Sequence, residues 1–472
     1  MTTKKLPIAV IGAGPIGLAA AAQLLQRGLE PIVLEAGSEI AANIRDWGHV
    51  RLFSPWRYLM EPAGQELLSH EAEWQEPQLD HLPTGHELID EYLLPLANSP
   101  RLSPHIRLNT RVTAVTRRRI DKMKSAGREG APFVLRVETP DGENELLAAA
   151  VIDASGTWHK PNPAGADGLR AMGELENQVH IHYGIPDVLG SQRASFEGKE
   201  VAVAGGGHSA INAILELSQL AGTRIRWILR KPAVEMAYGG LDDDELEGRG
   251  LLGKRIKAMV DAGQISVHTP FYVRQISNGG TQLDIYGESP DGPGSLEVDE
   301  LIVATGARPD LEMLRELRLN LDSIVESPAA LADMIDPNIH SCGTVPPHGE
   351  TELRQPEPNF YITGMKSYGR APTFLVLTGY EQVRSITAAL AGDWEAAHSV
   401  ELTLPDTGVC CTDPVTAELL GESASGACCG PTQVQVQTET QATGELLGLG
   451  SLPLGTAGIE LPVKASAKDS CC

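Results

Sequence analysis

The 472-residue chain carries 62 acidic against 38 basic side chains, a formal net charge of −24, and that sign argues against nucleic acid or an anionic membrane surface as a partner. It is long enough for two or three domains, and no run of eighteen apolar residues is present to span a bilayer, so no membrane role is expected. The opening MTTKKLPIAVIGAGPIGLAAAAQLL sets two lysines before an apolar run, as a signal peptide does, but the Gly-x-Gly-x-x-Gly turn inside it reads better as strand, loop and helix. With no export signal, a cytoplasmic location and reduced thiols are the expectation.

Leu6 to Ile11 is almost continuously apolar, the pattern of a parallel strand buried on both faces. Pro15 to Arg27 follows as an Ala-rich helix that Gly28 ends, and Pro31 to Glu35 as a second strand. The turn between is Gly12-Ala13-Gly14-Pro15-Ile16-Gly17. Gly12 permits a tight turn, Gly14 lets backbone approach a pyrophosphate at the helix N-terminus, and Gly17 lets helix and strand pack closely. Glu35, eighteen residues beyond Gly17, stands where a carboxylate accepts hydrogen bonds from an adenosine ribose and repels a 2′-phosphate. The site suits FAD or NAD, and its place at the start of the chain favours FAD.

Next come a helix from Thr84 to Ala97, strand-like runs over Ile106 to Val115 and Phe133 to Glu138, and VIDASGTW at 151–158. Val112 and Gly156 in this region are assigned to the same cofactor. Then the opening unit returns: VAVAGGGHSA, a helix from Ile211 to about Leu220, and a strand from Arg224 to Leu229. Its turn, Gly205-Gly206-Gly207-His208-Ser209-Ala210, ends in Ala rather than Gly. Its second strand ends in Arg230-Lys231, a cationic pair able to hold a ribose 2′-phosphate, which points to NADPH over NADH. LIVATGARPD at 301–310, containing Gly306, and PNFYITGM with a following helix to Leu390, containing Gly364 and Gly379, complete the ordered pattern.

The fold class expected is α/β, with two Rossmann-like dinucleotide-binding domains. A FAD domain is split into 1–160 and 306–400, an NADPH domain is inserted at 161–305, and 401–472 forms a mobile tail. That last stretch lacks aromatic residues and is rich in Thr, Gly, Pro, Gln, Ser and Ala. An extension packed on the body through Val400 to Leu404 is the alternative.

The paired Gly turns, DASGT at 153–157 and ATGARP at 304–309 resemble the two-dinucleotide-domain flavoproteins, among them thioredoxin reductase, glutathione reductase and the flavin-containing monooxygenases. The resemblance covers about residues 6 to 392. It implies a flavin reduced by nicotinamide hydride and then reoxidised by an acceptor. In the disulfide reductases that acceptor is a core dithiol, Cys-x4-Cys after the first Gly turn or Cys-x-x-Cys in the nicotinamide domain. Here the stretch AANIRDWGHVRLFSPW and the stretch from Lys231 to Asp261 contain no cysteine, and the only core cysteine is Cys342. The resemblance then points to the monooxygenases, in which O2 accepts the electrons and one oxygen atom passes to a soft nucleophile.

Val50-Arg51-Leu52-Phe53-Ser54-Pro55 resembles the monooxygenase stretch that runs under the flavin, with Ser54 where Asn is common. Trp47, His49, Arg51, Trp56 and Tyr58 crowd this region of a chain only 4% aromatic. Two readings stand: aromatics filling a core, or Trp47 to Ser54 walling the isoalloxazine with His49 or Arg51 polarising it. Farther on, Lys366, Tyr368 and Arg370 follow ITGM, where reductase relatives carry an Asp, and backbone N–H groups near Thr378-Gly379-Tyr380 would face the pyrimidine end of the flavin.

Six of the seven cysteines form adjacent pairs near the end of the chain: Cys410-Cys411, Cys428-Cys429 and Cys471-Cys472. Neighbouring Cα atoms are too close for a comfortable disulfide, so each pair is read as two soft thiolates for a thiophilic metal or metalloid. The ACCGP run at 427–431 is similar to the Cys-rich ends of flavin monooxygenases encoded with arsenic-resistance genes, and the resemblance implies trivalent arsenicals as substrate. Alternatives are an NADPH-dependent reductase passing electrons through these thiols to a metal ion or disulfide, and a non-enzymatic metalloid-binding flavoprotein. A homodimer is also compatible.

Overall fold

A computed structural model of the chain describes residues 5–243, 247–280, 282–339, 345–372 and 374–402. The opening unit forms as expected: β1 (Ile8–Ile11), α1 (Pro15–Gln26) and β2 (Pro31–Leu34), with β1 buried along its whole length. Helix α2 (Pro62–Ser69) packs beside α1, and α3 (Gly85–Leu88) begins a longer helical stretch reaching Asn98. That stretch is a single helix in the sequence pattern. In the structure it passes through a wider turn at Ile89–Leu93, because Pro95 has no N–H to continue the regular ladder.

The run 106–115 also divides. Ile106–Arg107 is β3, paired in parallel with β2, and Arg111–Arg117 is β4, paired antiparallel with β5 (Phe133–Thr139). Asn109 between them takes a left-handed backbone, φ 48°, which turns the chain from one sheet into the other. β6 (Gly142–Ala148) completes the antiparallel meander, and β7 (Ala150–Asp153) returns to pair with β1.

The second unit repeats this plan. After β8 (Ile181–Tyr183) come β9 (Glu200–Ala204), α4 (His208–Leu217) and β10 (Arg224–Ile228). Then follow α5 (Glu247–Asp261), β11 (Ser266–His268), a meander of β12 (Tyr272–Asn278), β13 (Leu283–Ser289) and β14 (Gly292–Val298), and β15 (Glu300–Val303). The last elements among the described residues are β16 (Phe360–Ile362), α6 (Val376–Leu390) and α7 (Trp394–His398).

The two parallel sheets run β16-β7-β1-β2-β3 and β8-β15-β9-β10-β11, so every strand of one has a counterpart in the other. Each three-stranded meander also leads directly into the strand beside the Gly-turn strand, β7 or β15. Only the edge differs: the last strand fills it in the first sheet and the earliest of its set fills it in the second. β16 joins β7 across more than two hundred residues, which is how a late segment completes the first sheet. Among the described residues no helix is long and apolar enough to cross a membrane.

Candidate functional site

The first Gly turn lies at the C-terminal edge of its sheet. Gly12 has φ 98°, and a Cβ there would sit 2.9 Å from the Ala154 carbonyl oxygen, so only glycine lets the turn cross the loop after β7. A Cβ on Gly17 would run into the Gly12 carbonyl oxygen, whereas one on Gly14 would meet nothing within 4 Å. Gly12 and Gly17 therefore serve the packing of the chain, and the space at Gly14 is the open cradle that a pyrophosphate requires. Pro15 opens α1, where its missing N–H costs no helical bond.

Glu35 is buried at the end of β2. Its Oε2 accepts from the Ala13 N–H at 2.7 Å and its Oε1 from the Gly37 N–H at 2.8 Å. The carboxylate thus ties the turn to the second strand, and each oxygen keeps a further lone pair for a ribose. The Thr110 N–H binds the Glu35 carbonyl, which brings the start of β4 alongside; Val112 is buried there with Ile11 and Leu34. Gly156, φ 72°, faces the Asn43 side chain on the loop after β7.

Ile16, in the first turn of α1, gathers residues from the far end of the chain. Built Cβ atoms on Gly364 and Gly379 would lie 3.0 Å and 2.5 Å from its side chain, so the loop after β16 and the first turn of α6 both press against the start of α1. The N-termini of α1 and α6 converge there.

Some helices carry a side-chain cap and others do not. α2, α3 and α7 are capped by Glu61, Thr84 and Asp393, whose side chains accept backbone N–H groups. α1, α4 and α6 have no side-chain cap and no acidic residue in the first turn. The positive ends of these helices suit anionic or electron-rich ligand groups. With the open cradle at Gly14, they fit FAD on the first unit and a nicotinamide dinucleotide on the second.

The segment 46–54 lies between the two units. The Trp158 indole donates to Asp46 at 2.9 Å and packs on Gly184, on the connection leaving β8. The Phe53 ring stands 5.6 Å from the His208 imidazole at the start of α4, and Phe53 also borders Gly248 in α5. Half-exposed Ser54 follows it. Trp47 packs on Gly85 at the start of α3, and Trp56 is fully buried in the core, so these two aromatics fill the protein interior.

The two proposed polarising residues part company. Arg51 is exposed, donates to the Leu82 carbonyl and lies 3.8 Å from Glu87. His49 is half-buried, and its Nε2 is enclosed without a hydrogen-bond partner. Burial holds the His49 pKa below its usual value and His86 adds to this, while the Asp187 carboxylate and the Pro186 carbonyl oppose it. On α4, Glu216 is raised to about 7, mainly by burial and further by Asp187.

The second cradle copies the first. Gly205, φ 139°, would strike the Ala304 carbonyl if it bore a Cβ, as Gly12 would strike that of Ala154, and Gly207 faces open space. His208, Ser209 and Ala210 begin α4, with Ala210 wholly buried where the first turn has Gly17. Gly306 pairs with the crossing strand through the Asn162 N–H at 2.9 Å. Both cations rest on backbone carbonyls: Arg230 donates to that of Ala166 at 2.8 Å and Lys231 to that of Met236, the Lys231 stem crossing Gly206 with its Cε 3.7 Å from a built Cβ there.

One cluster had no signal in sequence spacing. Lys366 Nζ lies 2.7 Å from Asp153 Oδ2 and 3.1 Å from Ser155 Oγ, and Lys366 and Asp153 are both fully enclosed. Asp153 belongs to DASGT and Lys366 to the loop after ITGM, but 213 positions separate them. No described residue is a cysteine; Cys342 and the three terminal pairs lie outside the described residues. Among the described residues no group of three or more His, Cys, Asp or Glu is placed to hold a metal ion.

Paired parallel sheets with two uncapped Gly-turn helices define a two-dinucleotide fold. Residues 9–330 match the family model described as pyridine nucleotide-disulphide oxidoreductase, and the chain belongs to that family. It is an oxidoreductase using FAD and NADPH. A ferredoxin–NADP reductase of Rhodospirillum rubrum is 24% identical over 351 residues, covering 73% of this chain and 85% of the relative. One from Ralstonia pickettii is 26% identical over 309 residues, covering 64% and 69%. In fold the chain is similar to a bacillithiol disulfide reductase from Bacillus cereus, with TM-score 0.62, 20% identity and coverage of 82% of this chain and 99% of that one. It is also similar to the FAD-bound cadaverine monooxygenase of Erwinia amylovora, with TM-score 0.56, 13% identity and coverage of 85% and 99%.

Proposed function

We propose that the chain is an NADPH- and FAD-dependent, monooxygenase-like oxidoreductase that transfers oxygen from O2 to a soft nucleophile, trivalent arsenicals first among the candidates. One observation carries the reading: the family is named for a disulfide acceptor, yet no cysteine stands in 41–56 or in 231–261, where the resemblance to thioredoxin and glutathione reductases leads one to expect a dithiol. The acceptor is then external to this part of the chain. FAD, when bound, would take hydride from NADPH and deliver electrons to O2. The protein's share is to hold and shield. The N–H groups opening α1 would hold the pyrophosphate, those opening α6 would support the electron-rich end of the flavin, and the 46–54 segment would shield the space between the units from water. His49, with an enclosed and unpartnered Nε2 and a pKa that burial lowers, would act there as a neutral imidazole. The adjacent cysteine pairs support a thiophilic substrate.

The curated relatives favour a second reading, an NADPH-dependent reductase passing electrons to a carrier protein or, through the terminal thiols, to a metal ion or disulfide. Turnover with NADPH and a trivalent arsenical under 18O2 separates the two. The first reading expects NADPH loss matched by oxygen uptake and label in the oxidised arsenical. Undiminished anaerobic NADPH oxidation with ferredoxin or Hg(II), and no label, would replace it with the second.

A further inference from the structure

We propose that Lys366 is a positioning residue for the flavin cradle, a brace that joins the loop after β16 to the loop after β7 and so sets the first Gly turn from below. The inference rests on the flavin reading of that turn. Three observations meet here. Lys366 Nζ contacts Asp153 Oδ2 at 2.7 Å and Ser155 Oγ at 3.1 Å, and Lys366 and Asp153 are closed off from solvent. Asp153 Oδ1 in turn accepts from the Ser155 hydroxyl at 2.7 Å and the Ser155 N–H at 3.1 Å, so the ion pair dictates the shape of the 153–156 turn. Against that turn lies Gly12: a built Cβ is 2.9 Å from the Ala154 carbonyl oxygen and 3.2 Å from the Ser155 Cα.

Because both charges are enclosed even with the cradle open, neither reaches a cofactor directly. Their action passes through Ser155, which is partly exposed, and through the backbone on either side of Gly12 and Gly364. The loop carrying Lys366 is itself held: the Gly364 N–H donates to Gln382 Oε1 at 2.8 Å, and Gln382 Nε2 binds Ser367 Oγ and His348 Nε2, both at 2.9 Å. The brace therefore runs from α6 through 364–367 to Asp153 and the Gly turn, linking the elements that assemble the cradle from opposite ends of the chain. A buried ion pair is a poor source of net stability compared with apolar packing, so its place at this crossing points to geometry rather than to stability.

The test replaces the link and the charge separately. Lys366→Met with Asp153→Asn leaves no buried charge and no cross-link. Lys366→Gln with Asp153→Asn leaves no charge but restores amide hydrogen bonds. The first pair is expected to fold, with apoprotein melting near wild type, yet to bind FAD about tenfold or more weakly, as loss of a supporting contact does, with altered flavin absorption bands. The second should regain affinity to within about threefold. Ser155→Ala, which removes only the middle atom, should weaken FAD several-fold without lowering apoprotein melting. Wild-type affinity and spectrum in the cross-link-free pair, or in Ser155→Ala, would overturn the proposal. If the unaltered chain bound no FAD, the flavin reading itself would fall instead.

Discussion

The two nucleotide units share strand order, turn geometry and uncapped helices, yet they enclose their cradles differently. α1 has nine of its twelve residues buried, joins α2 through Gln23 and Glu61 at 2.6 Å, and meets Gly364 and Gly379 at Ile16. α4 has six of ten buried, and its unit ends at exposed Arg230. A walled cradle suits a resident cofactor and an open one suits a dinucleotide that must leave each turnover. Closure of the first depends on β16 and α6, which belong to a part of the chain the second unit lacks.

The comparison breaks most sharply at the glycines. Gly17→Ala drives a Cβ into the Gly12 carbonyl and is expected to destabilise the protein by about 3 kcal/mol or more, read as loss of melting temperature with and without FAD. Gly14→Ala should leave apoprotein melting unchanged and weaken FAD about tenfold or more, at least ~1.4 kcal/mol, because its Cβ would meet only the ligand. If the two variants behaved alike, the separation of packing glycine from cradle glycine would be wrong.

A smaller effect tests the open unit. Arg230 and Lys231 each rest on a backbone carbonyl, of Ala166 and Met236, but it is the Lys231 stem that lies over Gly206 in the second cradle, so Lys231→Ala should raise the NADPH Michaelis constant about tenfold. Arg230→Ala should do less, and neither should change that for NADH. Equal use of both nucleotides by the unaltered enzyme would remove the 2′-phosphate role from this strand end.

The smallest effect lies at Glu216. Its folded pKa is raised to about 7 from 4.5, so the unfolded chain ionises first and stability falls as pH rises through that interval. The penalty is complete above pH 7. Glu216→Gln should remove it, gaining on the order of 1 kcal/mol after discounting for partial exposure, seen as a higher melting temperature at pH 8. No gain is expected at pH 4.5. A gain independent of pH would point to packing instead.

The Gly turns, their strands and the repeat were legible because burial on both faces writes a continuous apolar run, and a close backbone approach demands small residues at fixed spacing. Glu35 was legible too, though not its bond to the Ala13 N–H, which depends on where the turn lies in space. The start of the helix at Thr84 is legible because Thr84 and Glu87 form a capping box, whereas its wider turn before Pro95 leaves no mark on the apolar pattern. The run at 106–115 read as one strand because apolar periodicity does not record a change of sheet at Asn109. Arg51 and His49 looked equivalent in sequence; only Leu82 and Glu87, brought in by the 79–87 loop, distinguish them.

Local chemistry in the chain determined two dinucleotide turns, an acidic first strand end, a basic second one, and no cysteine in 41–56 or 231–261. Those features depend on neighbours within about thirty residues, so they are written in order along the sequence. Tertiary structure decided which cradle is walled, which candidate histidine or arginine keeps an unpartnered atom, and how Lys366 finds Asp153. Each of these is a contact between segments far apart in the chain, and no periodicity of a linear sequence encodes such a meeting.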